Sequence, residues 1–211
     1  MIVPRAGEYS LTLSDGTRVW LNSDSEIRYP VAFGKDRRTV FLSGEAYFEV
    51  EKDAERPFYV VLDGMEVKVY GTSFNVNTHY QGKILTTLVE GKVGIRVKST
   101  GAESILQPNQ MAEFNREKEE VEVTDVDTYY YTAWRAGEFV FQNETIEEIM
   151  DRLCRWYDME VFYANNDVRG KRFTGVIARF TNVADVLHLI GETATVQFNL
   201  KGDVITVSDS R

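Results

Sequence analysis

The sequence predicts a mostly β N-terminal domain, arranged as stacked β rungs or as a solenoid-like sandwich, followed by a small α+β C-terminal domain. In the first part, apolar and polar residues alternate up to Asp125, as in half-buried strands. The composition of 11 Tyr, 12 Phe and only 4 Pro also favours strands. After Gly137 the apolar period changes from two to 3.6, which indicates helices.

A strand, glycine, strand unit recurs along the first domain. Its glycines are Gly16, Gly44, Gly71 and Gly91. A glycine inside a strand pattern marks a bulge, a positive φ or a close backbone approach, so each one predicts a corner. The spacing is irregular, so an internal repeat and independently arising turns both explain it. Around Gly71 the predicted inward residues are Val67, Val69, Phe74 and Val76.

The remaining strands are bounded by turn signals. Asp63-Gly64 and Gly101 predict hairpins, because such residues supply the positive φ that tight turns need. Every second residue from Val40 to Val50 is uncharged, so these residues are predicted to face the core. The intervening residues Glu45, Tyr47 and Glu49 are assigned to solvent.

The domain boundaries are predicted at residues 1–126 for the β domain, 127–137 for an aromatic linker with a helical turn, and 138–211 for the α+β domain. The order in the last is β-α-β-β-α-β-β. Thr145 and Glu148 form a capping-box signature for its first helix. The second helix is predicted to start near Asn182 and to end at Gly191. Strands at 195–200 and 204–208 close the chain.

Charge and composition exclude several functions. A net charge of −9 argues against binding to a phosphate backbone. The single Cys154 and the two histidines, His79 and His188, offer neither a disulfide nor a metal-ligand cluster, so no metal and no cofactor is expected. No apolar run reaches the roughly 20 residues of a membrane helix.

Catalytic constellations are also scarce. Glu45 and Glu49 share one strand face and do not form a glycosidase pair across a substrate. The chemical candidate is the Gly71-Thr72 bond, where the threonine hydroxyl attacks the preceding carbonyl in an N-to-O acyl shift if the backbone is strained. The alternative is a simple corner. The protein is otherwise expected not to be an enzyme.

The motifs of the first domain resemble those of the periplasmic region of FecR-type anti-sigma regulators. The matching stretches are Leu13–Asn22, Arg38–Val50, Arg56–Phe58, Val69–Val76 and Val89–Val93. The second half is similar to the domain that commonly follows, which resembles the secretin and TonB N-terminal short domain. Its matching stretches are Trp134, Phe139–Asn143, Trp156–Tyr157 and Phe173–Gly175.

This resemblance implies the sensor part of an inner-membrane protein whose membrane and cytoplasmic segments lie outside this sequence. In the family, the periplasmic part receives a signal from the signalling domain of a TonB-dependent outer-membrane transporter. The cytoplasmic segment holds an extracytoplasmic-function sigma factor until proteolysis releases it. Some members are cut at a Gly-Thr bond, which makes Gly71-Thr72 a candidate cleavage point.

Two modes of recognition are open. The first is strand addition at a free edge of the closing strands, with main-chain hydrogen bonds for affinity and alternate side chains for specificity. Its candidate residues are Val196, Phe198, Leu200, Val204, Ile205 and Val207. The second is a carbohydrate-binding module with an aromatic platform. Its candidate residues are Trp20, Tyr29, Tyr47 and Tyr80.

Overall fold

The computed structural model describes residues 1–210 of the chain. Its contacts divide the chain into two units, Met1–Thr132 and Ala133–Arg211. The boundary falls inside the aromatic segment predicted as a linker, which forms a short helix α1 (Tyr129–Thr132) and a 3-10 turn at Ala133–Ala136. Within residues 1–210, no helix combines the length and apolarity needed to cross a bilayer.

The first unit contains two seven-stranded sheets. Sheet A consists, in spatial order, of β1 (Ile2–Val3), β4 (Ser25–Arg28), β5 (Arg38–Ser43), β7 (Phe58–Val61), β8 (Met65–Val69), β11 (Val93–Val97) and β12 (Glu103–Leu106). Sheet B consists of β14 (Glu120–Asp125), β13 (Gln110–Asn115), β10 (Lys83–Glu90), β9 (Ser73–Asn77), β6 (Glu45–Glu49), β3 (Arg18–Leu21) and β2 (Tyr9–Thr12). The mostly β first domain is thus confirmed.

The chain crosses repeatedly between the two sheets as it advances, which gives the sandwich its solenoid-like path. Three of the four recurrent glycines lie at these crossings: Gly44 between β5 and β6, Gly71 between β8 and β9, and Gly91 between β10 and β11. Gly16 instead lies in the hairpin that joins β2 and β3 within sheet B. The predicted corners are therefore confirmed at Gly44, Gly71 and Gly91, whereas Gly16 lies in a hairpin turn.

The two sheets bury one apolar core between them. The predicted inward residues Val67, Val69, Phe74 and Val76 are all at most 1% exposed. Phe48 stacks on Phe74 with ring centroids 5.1 Å apart. Because these side chains come from β6, β8 and β9, the period-two alternation of the sequence is realised on both inner faces.

The assignment of Glu45, Tyr47 and Glu49 to solvent is wrong for the first two residues. Glu45 is 9% exposed and Tyr47 is 3% exposed, although both lie on the face of β6 away from the core. The Glu45 carboxylate accepts hydrogen bonds from the side-chain amides of Asn22 (2.6 Å) and Asn75 (3.0 Å). Alternation identifies the two faces of a strand, but it does not show whether the second face is covered.

The second unit has the predicted β-α-β-β-α-β-β order. Its elements are β15 (Glu138–Thr145), α2 (Ile146–Tyr157), β16 (Glu160–Tyr163), β17 (Arg172–Ala178), α3 (Val183–Ala194), β18 (Val196–Lys201) and β19 (Val204–Asp209), with a 3-10 turn at Asp167–Gly170 before β17. β15 pairs with β17, and a three-stranded sheet has the order β16-β19-β18. The α+β assignment is confirmed.

Both helices begin where the sequence predicts. Thr145 forms the full capping box with Glu148, and the Asn182 side chain caps α3. Gly191, however, does not end α3, which continues to Ala194 and stops at Thr195 in the left-handed conformation (φ 54°). A Cβ at Gly191 would lie 3.2 Å from the carbonyl oxygen of Val196, so this glycine allows β18 to pack closely against the helix.

Candidate functional site

The Gly71-Thr72 bond lies at the tight corner between β8 and β9. Gly71 has φ +145°, a conformation that favours glycine, and a Cβ there would lie 2.4 Å from Cγ of Lys52. The backbone around the bond is fixed, because the Val50 amide donates to the Thr72 carbonyl (3.0 Å) and the Asp53 amide to the Tyr70 carbonyl (2.9 Å). Hydrogen bonds therefore hold the corner in place, and a side chain at residue 71 would require Lys52, including its backbone, to shift.

The Thr72 hydroxyl is buried and donates to the carbonyl oxygen of Lys92 at 3.0 Å. Gly91 lies close by, since a Cβ there would be 2.9 Å from the Thr72 hydroxyl oxygen. The sequence contains one other Gly-Thr bond, Gly16-Thr17. Gly16 also has positive φ (+91°), and the Thr17 hydroxyl donates to a carboxylate oxygen of Asp15 at 2.8 Å. The two bonds form a natural pair for comparison.

A second candidate site lies in the C-terminal unit, between α3 and β18. A groove of about 440 Å³ runs along the strand, and its helix side is formed by Leu187, His188 and Gly191. Its strand side is formed by Phe198, which is half-buried, and Leu200, which is 38% exposed. We call this the α3–β18 groove. It combines apolar side chains with a strand that pairs on one side only, among the residues described.

The predicted partner residues divide between surface and core. Phe198, Leu200 and Val204 keep solvent exposure, whereas Val196, Ile205 and Val207 are at most 1% exposed. The sequence offered 195–200 or 204–208 as the free edge. The second alternative does not apply, because β19 pairs in parallel with β16 and antiparallel with β18. Both sides of β19 are already used. Of the two closing strands, β18 is the one that lies at an edge of the sheet.

Three of the aromatic residues suggested as a sugar platform, Trp20, Tyr29 and Tyr47, differ in exposure and in the sheet to which they belong. Trp20 and Tyr47 make an edge-to-face pair with centroids 5.9 Å apart, but Tyr47 is buried. Tyr29 follows β4 of sheet A, whereas Trp20 belongs to β3 of sheet B. A stacked, exposed set of rings is what such a module needs, so this geometry does not favour it.

Titratable groups do not assemble into a metal centre within residues 1–210. The exposed His188 lies 3.3 Å from the Glu192 carboxylate one helical turn along α3. The buried Cys154 belongs to the apolar face of α2. The helix side of the α3–β18 groove was not foreseen from the sequence, because Leu187 looks like an ordinary core residue there and Gly191 like a helix end.

Comparison with known proteins places this fold in a family. Residues 2–94 match the family described as FecR protein, and residues 138–207 match the one described as FecR, C-terminal. Two crystal structures of a protein assigned as an anti-sigma factor from Parabacteroides distasonis ATCC 8503 have TM-scores of 0.90 and 0.89 with 29% identity. The matches cover all of this chain and 99% and 98% of those chains. No curated protein matches the sequence.

The fold and these matches define a regulatory protein of the anti-sigma class. The chain belongs to the FecR family. Members of this family are membrane-anchored sensors, and the family is regulatory and not typically enzymatic.

Proposed function

We propose that the chain is the periplasmic signal-receiving part of an anti-sigma regulator. It binds the signalling domain of a TonB-dependent outer-membrane transporter and thereby controls an extracytoplasmic-function sigma factor through segments outside this sequence. The observation that supports this best is the α3–β18 groove, where an unpaired strand edge lies beside accessible apolar side chains.

Strand addition fits this geometry. A partner strand paired to β18 would gain main-chain hydrogen bonds, which supply affinity without regard to sequence. Val196, Phe198 and Leu200 share one parity of β18, and all three line the groove. Every second side chain of the partner strand would enter this groove beside Phe198 and Leu200. The fit of those side chains to the groove would supply specificity. Exposed hydrophobic edges of this kind are otherwise an aggregation risk.

The test is titration with the periplasmic signalling domains of the TonB-dependent transporters of the same genome. Leu200→Asp is expected to raise Kd at least about tenfold, since a charge would be buried against apolar groups. Leu189→Asp is the matched control, because Leu189 is also on this unit and is 49% exposed but does not line the groove. Equal weakening by both variants, or no binding by the unmodified protein at micromolar concentrations, contradicts the proposal.

A second candidate function is self-processing at Gly71-Thr72, favoured by the positive φ of Gly71 and the buried hydroxyl of Thr72. In this reaction the hydroxyl oxygen bonds to the Gly71 carbonyl carbon, the C–N bond breaks, and the hydroxyl proton moves to the new amine. Water then hydrolyses the ester. The partners of Thr72 are backbone carbonyl and amide groups, so the Lys92 carbonyl orients the hydroxyl without acting as a general base.

Intact mass spectrometry after prolonged incubation tests this reaction. Cleavage is expected at residue 71 and not at residue 16, and it is expected to stop in Thr72→Val but persist in Thr72→Ser. Because the two Gly-Thr bonds give fragments of very different mass, the Gly16-Thr17 bond is an internal control. A single uncleaved species counts against self-processing and leaves the partner-binding proposal unaffected.

A further inference from the structure

We propose that the outer face of sheet A holds a separate ligand site, which binds a small ring-bearing carboxylate. A cavity of about 760 Å³ opens on this face. Small-molecule sites typically have volumes of about 300–1,000 Å³, with mainly apolar walls and a few polar groups. This site lies in the first unit and does not depend on the α3–β18 groove. We call it the sheet A groove.

The floor of the sheet A groove is one row of residues that crosses four strands. Strand register places Tyr59 of β7 beside Lys68 of β8, Lys68 beside Gly94 of β11, and Gly94 beside Ile105 of β12. Tyr70, which is 46% exposed, forms a wall near the Gly71 corner. Ile105 is 56% exposed at the opposite end. Rings and an aliphatic side chain thus bound an open floor.

Gly94 creates that open floor, and the backbone does not require it. Its φ is not positive, and the nearest atom to an added Cβ is the Lys68 carbonyl oxygen at an ordinary 3.6 Å. Glycine inside a strand lowers stability, and where no bulge or turn explains it, it commonly marks the close approach of a ligand. A side chain at residue 94 would fit the fold but would fill the groove.

The charges around the groove favour an anion. Asp53 is paired with Arg56 at 2.7 Å, and Glu66 lies 4.0 Å from Arg96. Three lysines line the groove and form none of the ion pairs found among residues 1–210, whereas Glu103 is the only carboxylate of the lining that is also outside those ion pairs. The lysines are Lys52, Lys68 and Lys92. This is a local excess of positive charge on a chain of net charge −9.

Lys68 is the central cation. Its ammonium group lies over the rings of Tyr59 (5.8 Å) and Tyr70 (5.4 Å). A hydrogen bond with Tyr70 raises the pKa of Lys68, so the group is charged at neutral pH. A carboxylate placed here would gain a charge-assisted hydrogen bond, while the ring of the same ligand would lie over Gly94.

A peptide strand is a poorer fit for this groove. The groove lies on the face of the sheet, where β8 and β11 already have neighbours on both sides, so their backbone groups are used in the ladders. Recognition must therefore come from side chains. A compact ligand with one ring and one anionic group uses all of them. Aromatic acids present a flat apolar ring, and sugar acids present the apolar C–H faces of a hydroxylated ring.

The test measures binding of naphthalene-2-carboxylate and of glucuronate by NMR chemical-shift perturbation, with the matching primary amides as neutral probes. We expect at least one acid to shift the amides of Gly94 and Ile105 and to bind about tenfold more tightly than its amide. Binding of only one acid identifies the ligand as aromatic or as a sugar acid. Failure of both acids at millimolar concentration overturns the proposal.

Two variants separate the site from general effects. Gly94→Val is expected to abolish binding while the melting temperature stays the same or rises, because a β-branched residue favours the strand. Lys68→Met is expected to remove the preference for acid over amide. Lys118→Met, in the exposed turn between β13 and β14, is the matched control and should bind as the unmodified protein does. Undiminished binding by Gly94→Val contradicts the proposal.

Discussion

Both units bury an arginine almost completely, but they surround it with different groups. Arg38 of the sandwich is 0% exposed, and Arg179 of the α+β unit is 1% exposed. Moving a guanidinium out of water costs several kcal/mol, so each site must supply strong compensation. The comparison shows how a sheet sandwich and a helix-bearing domain provide it.

Arg38 is compensated by a carboxylate and by backbone carbonyls, and its guanidinium faces a single ring, that of Phe58 at 5.5 Å. Its Nη1 lies 2.8 Å from the Asp15 carboxylate, whose side chain is only 4% exposed, and also donates to the carbonyl of Glu51 (2.8 Å). Its Nε donates to the carbonyl of Arg56 (2.9 Å). Asp15 in turn accepts two hydrogen bonds from Thr17. The turn at Asp15 is thereby joined to the start of β5 in sheet A.

Three aromatic rings surround the guanidinium of Arg179. Its guanidinium lies 3.8 Å from the ring centroid of Trp156, and the rings of Phe139 (5.4 Å) and Trp134 (5.7 Å) also face it. It donates to the Trp134 carbonyl at 2.8 Å, and the Trp156 indole donates to the Arg179 carbonyl at 2.7 Å. The planar cation therefore ties the start of this unit to α2. A weakly hydrated guanidinium suits this role better than an ammonium.

The largest effect is expected for Asp15→Ala. The variant leaves the Arg38 charge buried without its carboxylate, and breaking a buried pair in this way costs about 3–5 kcal/mol. Urea denaturation of the whole chain, followed by far-ultraviolet circular dichroism, measures the change in unfolding free energy of this β-rich unit.

The matched control removes both charges. Asp15→Leu combined with Arg38→Met should recover most of the lost stability, because a buried pair replaced by apolar residues is often close to neutral. If Asp15→Ala alone costs less than about 1 kcal/mol, which is the range of an exposed pair, the pair does not stabilise the sandwich.

A smaller effect is expected for Arg179→Met, which keeps the length and packing of the side chain but removes the cation. Loss of the desolvated cation–π contacts should cost about 2 kcal/mol. Tryptophan fluorescence is expected to shift even before unfolding, because Trp134 and Trp156, two of the three tryptophans, lie next to this guanidinium. Arg179→Lys should recover only part of the stability, because an ammonium cannot stack.

Arg28→Met provides the exposed counterpart. Arg28 lies 5.7 Å from the ring of Phe41, but its side chain is 74% exposed, so the same chemistry should contribute only about 0.5–1 kcal/mol. Equal losses at Arg28 and Arg179 would contradict the idea that burial strengthens the aromatic contacts.

Sequence patterns predicted the elements well because those depend on local rules. The capping box at Thr145, the hairpin at Asp63-Gly64 and the glycine corners follow from backbone preferences within a few residues. Arg38 shows where such rules end. It shares the parity of the buried Val40, so the pattern could have placed it inside, but its partner Asp15 is 23 residues away in a turn.

The candidate sites were harder to predict for the same reason. The α3–β18 groove needs α3 packed on β18, and β19 inserted between β16 and β18. Strand order is a long-range property, so the sequence could not show that 204–208 is central. The sheet A groove depends on the register of four strands around Gly94. A glycine in an alternating strand was the available signal.

The N-terminal cap of α2 is a purely local interaction, so its loss gives a small stability change against which the Arg179 variants can be compared. Thr145→Ala removes the hydroxyl that accepts from the Glu148 amide at 3.2 Å, and capping losses of this kind are about 1 kcal/mol. Thr145→Ser should retain most of this stability. Thermal unfolding distinguishes the two, and an equal loss in both would assign the effect to the methyl group and not to the cap.

The smallest effect concerns Arg152, whose guanidinium contacts both a carboxylate and an aromatic ring. Its Nη1 lies 2.8 Å from the Glu144 carboxylate, and its guanidinium lies 4.8 Å from the Phe141 ring. Burial raises the pKa of Glu144 above its usual value of 4.5, although Arg152 acts in the opposite direction. The folded state therefore holds the proton more tightly than the unfolded state.

The unfolding free energy is expected to fall as pH rises, because the unfolded state releases the Glu144 proton first. The stability that Glu144 contributes is fully present below pH 4.5 and is lost as pH rises through the raised pKa of the folded state. As pH rises from about 4 to about 7, the unmodified protein should lose unfolding free energy relative to Glu144→Gln. The loss should be at most about 1 kcal/mol, because the Glu144–Arg152 pair is partly exposed. Urea denaturation from pH ~4 to ~7 measures the difference. A relative gain with rising pH would show that the Arg152 ion pair outweighs burial, and that this arginine behaves like Arg38.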